Sequence, residues 1–310
     1  MRRIAIVVAT ALVVLTSCSG NSTSTETPNT DIPQGKCAPS EKNPTLGLVA
    51  IDSKDHVRVW DSSTSSTPRD LGVVGDDPFA TSTGNDLTVA ESVAVSPKDC
   101  AVFIGACCEP VSGITYFDKQ GDGEWETLVG HLPTISPDGE LLARVGYEEL
   151  LISPVSEPDK TNVVIGLPKA DVATIYRAQW INGDEVALSG FTKKSAMLWV
   201  ARISEGTLRE AATISTSVNW NSENLWRVGL VGVDETGNVI TQNENQNKGI
   251  VEFRYSESFE IFSTDNIAPN VLTYSITQSR SAMVTGAGVL TTWFGNGDPQ
   301  TLAGQYVWAG

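Results

Sequence analysis

Short runs of Val, Ile, Leu, Thr and aromatic residues, broken by Gly, Asp, Asn and Pro, fill the chain from Leu46 to Gly310. Hardly any stretch shows helical periodicity, so the patterning is all-β. The runs recur as a unit of four strands and three turns, repeated at the roughly 40–50 residues of a propeller blade. These two observations predict an all-β fold, a six-bladed β-propeller of four-stranded blades. The C-terminal strand closes it, and a signal peptide and a disordered tether precede it.

Residues 1–17 read as the signal peptide. Arg2 and Arg3 stand before an apolar run of 12 residues, Ile4 to Leu15. A bilayer-crossing helix needs about 20, whereas about 7–15 is usual for a cleaved signal. Leu15, Thr16, Ser17 and Cys18 occupy positions −3 to +1 of a lipobox. The segment therefore resembles a bacterial lipoprotein signal. That resemblance implies a diacylglycerol thioether on Cys18 and an acyl chain on its amine. Each buried CH₂ contributes ~0.8 kcal/mol, so two or three acyl chains hold where one would exchange. The expected location is outside the cytoplasm, on the outer face of the cytoplasmic membrane or on an outer membrane.

Residues 18–45 hold the lipidated cysteine and a tract of Ser, Thr, Asn, Pro and Gly with almost no apolar residue. Such a tract buries too little surface to offset its ordering entropy and reads as a flexible tether. The stretch from Ser19 to Lys36 would reach about 21–25 Å as a coil.

Residues 46–310 are the propeller. Its clearest repeat is Ile135-Ser136-Pro137-Asp138-Gly139-Glu140-Leu141-Leu142-Ala143, a strand end, a tight turn and a new strand. Val95 to Val102 repeats it, and weaker copies lie at Trp180 to Val186, Val233 to Val239 and Ile276 to Ala282. Anchored at Ser96, Ser136, Ile181, Asp234 and Thr277, the intervals are 40, 45, 53 and 43 residues. Asp-Gly and Asn-Gly pairs in these turns supply the positive φ that tight hairpins need. Each copy marks the turn between the first and second strands of a blade.

Before these five copies stand only three strands, Gly47 to Ile51, His56 to Asp61 and Leu71 to Val74, while Gln305 to Ala309 reads as one strand left over. Joined, they make the sixth blade, with the C-terminus as its innermost strand. That arrangement removes open sheet edges.

The net charge is −16, from 21 basic and 37 acidic residues. Removal of Arg2 and Arg3 with the signal leaves 19 against 37, a mature charge of about −18. A chain so acidic repels nucleic acid. Neither a P-loop nor a Gly-x-Gly-x-x-Gly fingerprint is present.

Ile135 to Gly139 with Leu141 to Ala143 resembles a blade of the TolB-type and WD-repeat propellers. His56-Val57-Arg58-Val59-Trp60-Asp61 is similar to the strand that ends in a Trp-Asp dipeptide, and Gly130-His131 to the Gly-His that opens such repeats. The Cys107-Cys108-Glu109-Pro110 segment is similar to ones in actinobacterial propeller lipoproteins. The resemblance implies a propeller fold and a structural, hydrogen-bonding role for His131. It names no ligand.

No catalytic residues are expected. Histidine is confined to His56, in a hairpin turn, and His131, and no Gly-x-Ser-x-Gly elbow exists. Asp118, Gln120, Asp122 and Gly123 fall at positions 1, 3, 5 and 6 of a calcium loop, but position 12 is Val129 where a bidentate Glu is required. A plain hairpin is preferred to a calcium site, and no cofactor or metal is expected. Trp180, Trp199, Trp226, Trp293 and Trp308 are assigned to the core between blades.

With Cys18 lipidated, Cys37, Cys100, Cys107 and Cys108 remain in an oxidising setting. Cys100 begins a strand that Cys107 and Cys108 end, and seven extended residues span about 23 Å. A disulfide tolerates ~4.4–6.8 Å between Cα atoms, so Cys100 cannot reach either. Cys37 approaches the second strand of one blade and Cys100 begins the second strand of the next, on the same face. Cys37–Cys100 is the predicted pair. Cys107 and Cys108 are left as neighbours, either free or as an adjacent disulfide.

Two functions follow. The preferred one is a lipid-anchored, non-enzymatic binding or scaffold module of the cell envelope, monomeric, with an envelope protein or polymer as partner. The alternative is an envelope enzyme of the lactonase or glycan-cleaving type, working through a channel metal held by several carboxylates.

Overall fold

The computed structural model describes residues 35–54, 56–62, 67–73, 90–106, 113–118, 124–169, 172–216, 229–234, 236–245, 249–267, 271–277, 280–295 and 297–309. The signal, Cys18, Cys107, Cys108, Gln120, Asp122, Gly123 and Trp226 lie outside these residues. Every regular element among the described residues is a β-strand.

The first sheet holds β1 (Val49–Asp52), β2 (His56–Val59) and β3 (Arg69–Val73), with β24 (Tyr306–Ala309) beside β1, in the order β24-β1-β2-β3. The second is β4 (Ala90–Val95), β5 (Val102–Ala106), β6 (Ile114–Asp118) and β7 (Glu126–Val129). The third is β8 (His131–Ile135), β9 (Leu141–Val145), β10 (Glu149–Pro154) and β11 (Val163–Gly166). The fourth is β12 (Ala173–Trp180), β13 (Glu185–Thr192), β14 (Ala196–Arg202) and β15 (Thr207–Ser215).

Two further antiparallel runs follow. One is β16 (Gly229–Val233), β17 (Val239–Asn245), β18 (Gly249–Tyr255) and β19 (Ile261–Ile267). The other is β20 (Val271–Thr277), β21 (Arg280–Thr285), β22 (Leu290–Phe294) and β23 (Gln300–Leu302). A short parallel pairing of β16 with β20, at Gly232–Ile276 and Val233–Thr277, joins them into one eight-stranded sheet. The backbones meet so closely there that a methyl group on Gly232 would sit 1.8 Å from the Ile276 carbonyl oxygen. Only glycine fits.

The five sequence repeats fall at corresponding places, in or beside the turns β4–β5, β8–β9, β12–β13, β16–β17 and β20–β21. The chemistry of one explains them. In Ser136-Pro137-Asp138-Gly139, the Ser136 hydroxyl donates to Asp138 and accepts from Leu141 N at 2.8 Å. Asp138 also accepts from Glu140 N at 3.0 Å. Gly139 takes φ 76°, the left-handed region that costs a residue without Cβ nothing.

Burial follows strand position. The middle strands β9, β10 and β13 are buried almost continuously, whereas the fourth strands β7 and β11 are mostly exposed, each with one buried residue. Continuous burial is what a strand shows when both faces of its sheet are covered. Each apolar cluster accordingly lies between two neighbouring sheets. Val49, Ile51 and Leu71 pack with Val102 and Ile104, and Phe103 and Phe117 with Ile135 and Leu142. Leu150 and Ile165 meet Trp180 and Trp199, and Ala187 and Leu198 meet Leu230 and Tyr255. Val231 and Ile240 meet Ile276, and Ala282, Val284 and Leu290 return to Leu48, Trp60 and Tyr306 of the first sheet. Trp180 adds a polar tie, its indole N–H donating to the Thr134 carbonyl at 3.0 Å.

Tyr306 carries the link between the last strand and the first sheet. It is buried, lies 6.1 Å from Trp60 ring to ring, and donates its hydroxyl to the Ala303 carbonyl at 2.7 Å. Deletion of Tyr306 to Gly310 should therefore uncover the edge of β1 and lower stability by at least the ~3–5 kcal/mol of a large aromatic truncation. Urea unfolding monitored by tryptophan fluorescence checks this; an unchanged midpoint would show that β24 contributes nothing to the body.

Candidate functional site

The first strands of the second, third and fourth sheets and of the two later runs line a cavity. Its wall includes Ser92 to Val95 of β4, Pro133 to Ile135 of β8, Arg177 to Gln179 of β12, Leu230 and Val231 of β16, and Ser275 of β20. Its empty volume, open mouth included, is about 900 Å³. The titratable side chains among its described lining are Arg177 and Arg280.

One side of the cavity is built by the segment 35–48, which contributes Cys37, Pro39 and Gly47. Composition assigns residues 35–45 to the tether, yet this stretch lies against the body. Three bonds hold it. Lys36 N and Cys37 N donate to the carbonyls of Lys98 and Pro97 at 3.2 and 2.9 Å, and a Cys37–Cys100 disulfide, Cα to Cα 5.3 Å, sits beside them. At the other end the Leu46 carbonyl accepts from Arg280 Nη1 at 3.0 Å. The segment thus spans from the β4–β5 turn to the β20–β21 turn, across the end of the first sheet. Both cysteines are buried, Cys37 at 1 % exposure.

Arg280 is itself buried, at 6 % exposure. Desolvation alone lowers its pKa, to about 10, with no carboxylate offsetting it. It remains charged at neutral pH.

The other sequence candidates are dispersed. His56 opens β2 and its Nδ1 lies 3.0 Å from Asp70, which also accepts from Arg58 at 2.7 Å. Arg58 binds Asp52 in turn at 2.8 Å, so His56 belongs to an ion cluster on the first sheet and is not among the cavity-lining residues. His131 begins β8, packed under Gly113. Asp118 ends β6 and is fully buried. Among the described residues no cluster of three or more His, Cys, Asp or Glu could hold a metal ion. Trp180 and Trp199 are core residues, and Trp293 is half-buried on β22.

Sequence reasoning missed Arg177 and Arg280. Arg280 stands in Gln278-Ser279-Arg280-Ser281, which reads as an exposed turn. Its burial depends on a contact with Leu46, 234 residues away in sequence.

The fold these sheets define is a β-propeller. Among solved structures it is similar to TolB from Acinetobacter baumannii, with a TM-score of 0.53 at 11 % identity, covering 84 % of this chain and 64 % of that one. It is also similar to a chain of a nidogen/laminin complex, with a TM-score of 0.51 at 8 % identity over 79 % of this chain and 88 % of that one. This chain thus covers less than two thirds of the TolB chain. At such identities the likeness is one of fold alone. No protein-family model matches the sequence. No curated protein matches it in sequence either.

Replacing Cys37 and Cys100 together by Ser should cost about 2–4 kcal/mol by freeing the unfolded chain from its cross-link. It should also expose the segment 35–48 to protease. Urea midpoints of the oxidised parent and the double variant decide this; equal midpoints with equal cleavage rates would contradict it.

Proposed function

We propose that the protein is a lipid-anchored, extracytoplasmic binding or scaffold module of the cell envelope, built on a six-bladed β-propeller that β24 closes. Three features support the six-bladed, closed reading. The sheets resolve into six antiparallel runs of four strands, their core clusters pass from each run to the next, and β24 pairs with β1 at Ala50–Ala309 and Ile51–Trp308. The lipobox ending in Cys18 supports the anchor.

The observation that carries the binding reading is the axial cavity, whose titratable lining is a pair of arginines. A lactonase or glycan-cleaving propeller would gather carboxylates and histidine around a channel metal, for acid–base work and for activating water. Arginines stay protonated and cannot serve as the base. They bind. The partner is an envelope protein or polymer, engaged through the cavity mouth or the turns around it, by a monomer that does not contact nucleic acid.

The tether enters the body through the segment that forms one wall of the cavity, so anchor and cavity share a side of the molecule. Residues 19–34 would reach about 20–24 Å as a coil, which keeps the cavity mouth close to the membrane surface.

Two experiments test the reading. Cys18→Ala should abolish membrane retention and incorporation of an alkyne fatty acid, leaving unprocessed or soluble protein; labelling of the Ala variant would refute the anchor. Crosslinking in intact cells followed by capture of the full chain should return one envelope partner in excess over a Cys18-anchored control protein. Capture of none, together with calcium-dependent turnover on lactone or glycoside panels, would favour the enzyme instead.

A further inference from the structure

Two guanidinium groups are buried among the described residues, and their surroundings differ. Arg144, at 3 % exposure, donates to the carbonyls of Val129 at 2.7 Å and Pro158 at 2.9 Å and to the Ser153 hydroxyl at 3.4 Å. It is a structural strut that ties β9 to the end of β7 and to the turn after β10. Among the described residues Arg280 makes one hydrogen bond, to the Leu46 carbonyl, and it lines the cavity. A guanidinium carries five N–H donors, so four of them meet no acceptor among the described residues. Among the described residues no carboxylate pairs with it, and desolvation is the cause of its lowered pKa.

A buried charge without a counter-charge is among the most costly arrangements in a folded protein. If carrying the Leu46 carbonyl were its whole task, a neutral donor would do it without that cost. We propose that Arg280 is the anchor of an anion site: the cavity takes a small oxyanion in the fork of Arg280, with Arg177 a second cation in the lining. This deepens the binding reading above and rests on it.

The chemistry of the wall narrows the ligand. A planar guanidinium presents paired donors that match the two oxygens of a carboxylate or phosphate. Hydroxyl groups stand in the same lining at Thr134 and at Ser92, whose Oγ is buried and makes no hydrogen bond among the described residues, and apolar residues at Val95 and Leu230. The ligand class is therefore a small organic acid, its anionic head at Arg280 and an apolar body deeper in the wall. The chain's net charge of −16 does not oppose this. Exposed carboxylates are screened beyond about 8–10 Å at physiological ionic strength, whereas a cation inside the cavity is screened far less.

The test uses the full chain as the soluble Cys18→Ala protein in low-salt HEPES, titrated with benzoate, inorganic phosphate and benzamide, the last a neutral shape control. Benzoate is expected to raise the thermal midpoint saturably and to bind by calorimetry, and benzamide to do neither. Phosphate binding as tight as benzoate would keep the oxyanion site and place the recognition in the head alone. Arg280→Met removes the unpaired charge and keeps the volume, so it should fold at least as stably as the parent while weakening benzoate at least tenfold. Arg280→Lys keeps the charge without the fork and should weaken benzoate several-fold, which preserves the test should the Met variant fail to fold. A parent protein unmoved by either anion, or a folded Arg280 variant that binds benzoate as tightly as the parent, overturns the proposal. Partner capture that persists while anions have no effect leaves the binding-module reading standing and removes only the anion site; anion binding without partner capture does the reverse.

Discussion

Everything in this molecule depends on a single constraint: its four-stranded sheets are apolar on both faces. Leu188 and Val186 of β13 face a cluster shared with the third sheet, while Ala187 on the same strand belongs to a cluster shared with the run that begins at β16. A sheet of that kind cannot rest on one partner. It needs a neighbour on each side, and so does the neighbour. Sheets stacked in a row would leave two bare faces, which the returning contact of Ala282, Val284 and Leu290 with Leu48 and Tyr306 covers. The first strands β4, β8, β12, β16 and β20 are left to line a common space by this packing. They border a space that side chains do not fill, so the cavity is where a fold of this class can accept a ligand without disturbing its core.

The limits of that packing are set by backbone contact as much as by side chains. At Gly232 the first strands of two runs meet closely enough to hydrogen-bond in parallel, and any Cβ would strike the Ile276 carbonyl oxygen. Elsewhere the first strands β4, β8 and β12 are not paired with one another, and the wall is formed by residues such as Ala94 and Ala178. Approach on one side and separation on the others make the cavity asymmetric. Arg280 sits just past the narrow side, one turn beyond β20.

The periodic part of this architecture was legible in the sequence. Tight turns need particular residues, and Ser-Pro-Asp-Gly at 136–139 or Asn182-Gly183-Asp184 announces a turn wherever it falls. Five such turns at blade spacing gave the strand order, and the strand left over at the C-terminus pointed to its pairing with β1. The position of Cys37 near Cys100 was legible for the same reason, since strand alternation fixes which end of a sheet each cysteine occupies. What the sequence hid was every feature that depends on contacts between distant segments. Residues 35–46 have the composition of a tether because their order comes from the body, through backbone bonds to Pro97 and Lys98 and the cross-link to Cys100, and not from apolar side chains of their own. Arg280 and Arg177 look like surface residues because nothing local marks the closing of a wall over them. The cavity could be foreseen as a property of the fold, but its chemistry could not.

The choice of arginine at the buried positions follows from hydration. A lysine ammonium is strongly hydrated and loses its proton readily when buried, whereas a guanidinium is more weakly hydrated and keeps its charge. Even at about 10, the lowered pKa of Arg280 leaves it cationic across the physiological range. The cost of holding that charge is met in part by the cross-linked segment. The disulfide at Cys37 reduces the entropy lost when residues 37–48 settle on the body, and so makes the Leu46 carbonyl available to Arg280 at less expense than a free segment could. The cross-link and the buried cation therefore act on the same piece of chain from its two ends. One supplies the constraint, and the other uses it.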